Sequence, residues 1–413
     1  MIMTYKTRIT TAIATGAVLV NALAPIALAN TVTESGNGAF SDNTVKVTTS
    51  TNNVVNQTNN ADIVNKVSSN ASTGGNSASL NTGGNTTIKT GAANTTVDIQ
   101  NAANLNKASL TNCNTCNGNA TDVTVSGNGA YTDNTVGVTN SNSVFLNQNN
   151  QANFNNYINA DSSTGKNKAS ENTGGDTVIV TGAAKTDVTV NNKANANIAK
   201  VGGNSDSAGS SSVIVKDNGA FSDNGVSLGQ TSATVLGQTN VANIKNDVDA
   251  DAKTGYNDSK FNTGGFTGIA TGNATADVAV DNMTNFNAAE LNCDCILSGI
   301  DVKEAGNGAK SDNSVDAAAN NALYNDQVNA NHLYNDVDGD AKTGANDLKF
   351  STGDVTGDPV IYTGNSHSTT DVSNSGNVNV LDNGGNTLHV GDVEVGTTFD
   401  MSGLWSFLHG LVG

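Results

Sequence analysis

Two acidic segments contain the residues whose type and spacing best fit metal chemistry. They read "DVDADAKTGYND" (Asp247 to Asp258) and "DVDGDAKTGAND" (Asp336 to Asp347). In each segment, aspartates occupy relative positions 1, 3, 5 and 12, where carboxylate oxygens ligate Ca²⁺ in a loop. The candidate ligands are Asp247, Asp249, Asp251, Asp258, Asp336, Asp338, Asp340 and Asp347. The sequence therefore offers Ca²⁺ as a cofactor.

A second interpretation of the same acids needs no metal. The sixth position of each segment is alanine (Ala252 or Ala341), where the sharp turn of an EF-type loop favours glycine. An earlier segment of the chain has Lys66, Ser68 and Asn70 at the equivalent places, so the local structure does not depend on a bound ion. The acids then lie on the solvent face of a strand.

Four cysteines form two close pairs, Cys113/Cys116 in "NCNTCN" and Cys293/Cys295 in "NCDCI". A zinc site would need two Cys-x-x-Cys arms, and the second pair is Cys-x-Cys. In an exported protein, local disulfides are the favoured interpretation. A Cys113–Cys293 link, or bridges between chains, stays open.

Catalysis has little support in the sequence. His332, His367, His389 and His409 show no metal-ligand spacing, and Trp405 is the single tryptophan. A polysaccharide-active β-helix enzyme would need a groove of carboxylates and aromatic platforms. We therefore do not expect an enzyme, and this class ranks third among the functions considered.

The N-terminus and the charge indicate export. Lys6 and Arg8 precede an apolar run that ends in Ala27-Leu28-Ala29, which predicts a signal peptide over residues 1–29 and no membrane span in the mature chain. Removing it leaves 17 lysines, no arginine and 37 acids, a net charge of −20. Nucleic-acid binding needs clustered cations, so a nucleic-acid partner is not expected. The expected location is secreted or cell-surface.

Internal repetition determines the predicted architecture. The motif "GNGAFSDN" returns as "GNGAYTDN", "DNGAFSDN" and "GNGAKSDN", and its central asparagine moves in steps of 91, 90 and 89 residues from Asn37 to Asn307. The TGG motif repeats with the same steps from Thr82. The predicted units are residues 30–120, 121–211, 212–298 and 299–390, followed by an apolar tail or cap at 391–413.

Within each repeat the strongest pattern has period two, which is typical of a β-strand with one specified face. That face mixes amides with apolar residues, and buried amides must be hydrogen-bonded. Stacked equivalent amides satisfy one another in a ladder. The predicted ladder residues are Gln57, Asn65, Gln148, Asn156, Gln238, Asn246, Gln327 and Asn335. Ile88, Ile179, Ile269 and Ile361 are predicted to point inward from a shorter strand.

The sequence therefore predicts an all-β protein, a β-solenoid or β-helix-like stack of four repeats of about 90 residues. Four tandem antiparallel β-sandwich units remain the alternative, because duplication alone produces repeats of this length.

The alternating Gln-x-Asn-x-Ala face resembles the curlin repeat, which implies ladders of the kind that build extracellular fibres. The blocks "GNGAxSDN", "NTGG" and "VxVxNxxNxN" resemble exported Asn/Thr/Gly-rich repeat proteins of Patescibacteria-type bacteria, which implies a surface or secreted role. We expect a structural or adhesive protein that self-associates or binds a cell-envelope or host-surface component, with fibre or coat formation included. A Ca²⁺-dependent carbohydrate- or protein-binding module is the alternative function.

Overall fold

The described part of the chain is built from parallel strands that wind through four successive coils. The computed structural model describes residues 3–12, 16–21, 30–110, 121–201, 211–291, 300–352 and 359–382. Within these ranges there is no helix, and therefore none that could cross a bilayer. The prediction of an all-β repetitive stack is confirmed.

Each coil contains five strands of nearly constant length. The first coil has β3 (Asn30–Ser35), β4 (Asp42–Ser72), β5 (Ser77–Ser79), β6 (Thr86–Lys89) and β7 (Ala93–Leu110). The second has β8 (Thr121–Ser126), β9 (Asp133–Ser163), β10 (Lys168–Ser170), β11 (Thr177–Val180) and β12 (Ala184–Val201). The third has β13 (Ser211–Lys216), β14 (Asp223–Lys253), β15 (Asp258–Lys260), β16 (Thr267–Ala270) and β17 (Ala274–Leu291). The fourth has β18 (Ile300–Ala305), β19 (Asp312–Lys342), β20 (Asp347–Lys349), β21 (Val360–Tyr362) and β22 (Ser366–Asp382).

Every named strand pairs in parallel with its equivalents in the neighbouring coils, so each of the five strand positions forms a sheet that runs along the stack. In the sheet formed by the 31-residue strands β4, β9, β14 and β19, Gln57 pairs with Gln148, Gln148 with Gln238, and Gln238 with Gln327. An antiparallel sandwich would instead pair strands within one repeat. The tandem-sandwich alternative is therefore wrong.

Two strands at the N-terminus extend one of these sheets. The backbones of β1 (Met3–Ala12) and β2 (Gly16–Asn21) run parallel to β7, on its side away from β12. Both strands lie within the predicted signal peptide. Cleavage before Asn30 stays a prediction, and it would remove these strands and expose the outer edge of β7.

The spacing between repeats has a simple origin. The first three coils have strands of 6, 31, 3, 4 and 18 residues, and the segments between coils, at 111–120, 202–210 and 292–299, shorten by one residue each time. The steps of 91, 90 and 89 residues therefore arise outside the strands. In-register stacking tolerates no change in strand length, because a shift of one residue turns every side chain to the opposite face.

The interior lies between the long strand of each coil and the two strands that face it. The C-terminal part of β4 packs against β7, and its N-terminal part packs against β3, where Val45 and Val47 meet Val32. Rows of aliphatic side chains alternate with rows of amides along these strands. Ile88, Ile179 and Ile269 are buried as predicted, whereas Ile361 in the last coil is 41% exposed.

A glycine position shows how closely the coils approach. A Cβ added to Gly165 would collide with the backbone carbonyl of Gly255 in the next coil, and Gly74 and Gly255 face the same obstacle. At the equivalent Gly344, a Cβ would meet nothing within 4 Å among the described residues. Side chains are thus excluded where another coil follows.

Candidate functional site

The predicted glutamine residues form one continuous hydrogen-bonded row. The Nε2 of Gln148 donates to Oε1 of Gln57 at 2.7 Å, and Gln238 and Gln327 repeat the contact at 2.8 and 2.6 Å. Gln148 also donates to the carbonyl of Ile198 across the coil at 3.1 Å. Both amide hydrogens of this buried side chain therefore have acceptors, as burial requires.

Asparagines form a more extensive network, with Asn156 at its centre. The Oδ1 of Asn156 accepts hydrogen bonds from Asn65 and Asn101 at 2.7 and 3.0 Å. Its Nδ2 donates to Asn192 and Asn246 at 3.1 and 2.7 Å. Two of these bonds run along the stack and two cross the interior, so the amide is fully satisfied while fully buried.

Sequence reasoning missed the partner rows on β7 and its equivalents. They occupy the three asparagines of the recurring "NxxNxN" pattern, namely Asn101, Asn104, Asn106 and their counterparts Asn192, Asn195, Asn197, Asn282, Asn285, Asn287, Asn374, Asn377 and Asn379. The pattern itself was visible. Its inward direction was not, because simple alternation cannot place 101, 104 and 106 on one face.

A residue with a left-handed backbone conformation resolves this conflict. Asn104 has φ of 66° and interrupts strand pairing, and Asn195, Asn285 and Asn377 do the same in their coils. Asparagine tolerates this conformation better than most residues. The side chain of Asn104 donates to Asn195 at 2.9 Å and to the carbonyl of Gln151 at 2.6 Å. The bulge thereby changes which residues face inward and keeps amides in the interior.

The aspartates of the calcium prediction lie on strands rather than in a loop. Asp247, Asp249 and Asp251 lie on β14, and Asp258 lies on the separate β15, where Lys260 contacts it at 3.1 Å. Asp336, Asp338 and Asp340 pair with the first three in the next coil, and Asp347 pairs with Asp258. No group of three or more metal-ligating side chains converges within the described ranges. Calcium binding stays a prediction, now for carboxylate pairs on adjacent coils.

The ionised form of one of these carboxylates is electrostatically disfavoured in the folded chain. The pKa of Asp249 is raised by partial desolvation and by the neighbouring charges of Asp251 and Asp338. The folded state therefore binds this proton more tightly than the unfolded state. The ionised carboxylate of Asp249 therefore destabilises the fold. This effect is fully present above the raised pKa, and it is relieved as pH falls towards the ordinary pKa of 3.8.

We expect Asp249→Asn to stabilise the fold at pH 7 by about 0.5 kcal/mol, after allowance for solvent screening. Asn159 already occupies this position in the second coil, so the amide fits. The gain should shrink between pH 7 and pH 4, as measured by urea unfolding. Asp62→Asn, whose neighbour is Asn153, serves as the control. An equal gain in stability at pH 7 and pH 4 would contradict the raised pKa of Asp249.

Exposed aromatic rings form a row at the "GNGAxSDN" turn. Phe40, Tyr131 and Phe221 stack with centroids 5.0 and 4.9 Å apart and nearly parallel planes, and Lys310 Nζ lies 5.3 Å from the Phe221 centroid. All four residues have positive φ. Bulky residues adopt this conformation at a cost of roughly 1–2 kcal/mol. Sequence reasoning missed this row of rings because the residue type at the fifth position of the motif changes from coil to coil.

Several predicted features lie outside the described residues. Cys113, Cys116, Cys293 and Cys295 fall in the segments between coils, and the apolar tail at 391–413 follows the last described strand. Their disulfide and capping roles stay predictions.

The fold and the amide rows define a class: a parallel β-solenoid in which each repeat forms one wide coil, joined to its neighbours by side-chain ladders as well as by backbone pairing. No protein-family model, curated protein or solved structure matches the chain.

Proposed function

We propose that this protein is an exported structural or adhesive component of the cell surface or extracellular space. The observation that carries the proposal is the continuity of the buried amide rows through all four coils. A network in which Asn156 bonds to four amides spread over three coils makes a rigid body, and neighbouring coils must unfold together to expose it. Such a body suits a load-bearing or spacing role.

Surface chemistry is consistent with this role. The chain has 37 acids against 19 basic residues, which favours solubility outside the cell and disfavours nucleic acid as a partner. Exposed aromatic rows, such as Phe40, Tyr131 and Phe221, supply contact surface for another protein or an envelope component. The partners we propose are a second copy of the chain or a cell-envelope or host-surface component.

Localisation tests this proposal. We expect antibody labelling of intact producer cells, or recovery from the medium, with an N-terminus at Asn30 by mass spectrometry. Retention in the cytoplasm would contradict the proposal. Release from the surface by a calcium chelator would instead favour the Ca²⁺-dependent binding module, whose carboxylate pairs are Asp249/Asp338 and Asp251/Asp340.

A further inference from the structure

At both ends of the stack, some strand edges have no paired strand within the described ranges. Among the described residues, β3, β4, β5 and β6 have no partner on the outer side of the first coil, and β18 to β22 have none on the outer side of the fourth. On the first coil, β7 has β1 and β2 on that side. Open edges of this kind bind further strands readily.

The amide rows give these two ends opposite hydrogen-bonding character. Along one row, Nδ2 of Asn65 donates to Asn156, Asn156 donates to Asn246, and Asn246 donates to Asn335. The other buried asparagine rows run in the same direction. The first coil therefore ends in amide acceptors and the fourth in amide donors. The glutamine row runs in the opposite direction.

Charge also differs between the ends. Residues 30–110 contain four lysines and four acids, whereas residues 300–382 contain four lysines and thirteen acids, a net charge of −9. Two fourth coils would therefore repel each other, but a fourth coil and a first coil would not. The strand register places Lys66 in the same row as Asp336, and Lys46 in the same row as Asp316. A continued stack would pair these opposite charges between molecules.

The aromatic row continues across the same junction. Lys310 already lies over the ring of Phe221 on one side. A second copy stacked on the fourth coil would place its Phe40 on the other side of this lysine, where a further cation–π contact would form.

From these observations we propose that the chain polymerises head to tail, with the fourth coil of one molecule stacked in register on the first coil of a second copy. This inference rests on the proposed structural role and names its partner. Removal of β1 and β2 with the signal peptide would complete the receiving end. Four coils at about 4.8 Å spacing give an axial rise of about 19 Å per chain.

Two glycines provide end-specific blocks. A Cβ on Gly344 meets nothing within the described chain, but its equivalents Gly74, Gly165 and Gly255 each face a carbonyl of the following coil. At the other end, Gly38 is unobstructed, although its equivalents Gly129, Gly219 and Gly308 face the backbone of the preceding coil. Alanine at either end position should leave the isolated fold intact and obstruct one end of the molecule.

The experiment compares the exported, processed chain with Gly344→Ala and Gly38→Ala variants. By electron microscopy and light scattering, we expect the wild type to form filaments with the stated rise. Each variant alone should stay monomeric, with a wild-type circular dichroism spectrum. An equimolar mixture should form discrete dimers, because only one junction, between the intact ends, can form.

Three outcomes would overturn the inference: a wild type that stays monomeric at all concentrations, a single variant that still forms filaments, or a single variant that dimerises with itself. Surface localisation without filaments would refute polymerisation alone and leave the proposed function standing.

A charge-reversal pair provides an independent test. Lys66 and Asp336 are both exposed and lie three coils apart within one molecule, so they can meet only across a junction. Lys66→Asp and Asp336→Lys should each slow filament growth at least several-fold, and the double variant should recover most of the rate. Equal growth in all four proteins would contradict the proposed register.

Discussion

Replacing Asn156 with alanine is expected to lower the free energy of unfolding by about 4 kcal/mol or more. The substitution removes four hydrogen bonds at once. It leaves one amide N–H of Asn65 and one of Asn101 without an acceptor, and it takes one of two donors from the Oδ1 of Asn192 and of Asn246. Each buried polar group that loses its partner costs about 1–3 kcal/mol. Urea unfolding followed by circular dichroism would measure the loss, and amide hydrogen exchange would show whether it extends to neighbouring coils.

Asn155→Ala is the matched control for this variant. Asn155 is adjacent on the same strand, faces outward and belongs to none of the amide rows. Its replacement should change stability by less than about 0.5 kcal/mol, as is usual for surface positions. Equal effects at 155 and 156 would show that the buried network does not stabilise the stack.

Gly165→Ala is expected to disrupt the contact between the second and third coils. The added Cβ would overlap the carbonyl of Gly255, a backbone atom that cannot rotate away. Relief requires the two coils to separate locally, which also strains the neighbouring ladder bond from Asn167 to Asn257 at 2.8 Å. We expect a loss of about 3 kcal/mol, within the range for overpacking a closely packed site, measurable as a lowered thermal midpoint.

The same substitution at Gly344 is the control, because its Cβ meets no described atom. An unassembled Gly344→Ala chain should unfold at the wild-type temperature. A similar loss in both variants would indicate that the glycines are needed for local turn geometry rather than for close stacking.

Much of the architecture could be predicted because stacking constrains the sequence directly. Equivalent residues such as Gln57, Gln148 and Gln238 must recur at nearly constant spacing, and one face of each strand must stay uniform. The sequence alone could not distinguish a solenoid from tandem sandwiches, because gene duplication produces the same recurrence of residues. Only the pairing partner separates them: Gln148 pairs with Gln57 and Gln238 in other coils.

The candidate site was predicted in part, and the failures have physical causes. The inward direction of Asn104 and Asn106 was not predicted, because the left-handed backbone conformation of Asn104 changes the phase of the alternation, and a period-two pattern does not reveal a single backbone torsion angle. The acids at 247, 249 and 251 fit both a calcium loop and an outward strand face, because the two share the same odd positions, and calcium binding there stays a prediction. Sequence spacing alone could not distinguish the two.

In the first three coils, length differences are confined to the segments between coils, and this has a consequence for how such a gene can change. Recombination between repeats would add or remove an entire turn, and each new turn would find matching amides above and below it. Loss of a single codon within β9 would misalign every row that follows. We therefore expect natural variants of this protein to differ in whole turns, so that selection adjusts its reach in increments of about 4.8 Å.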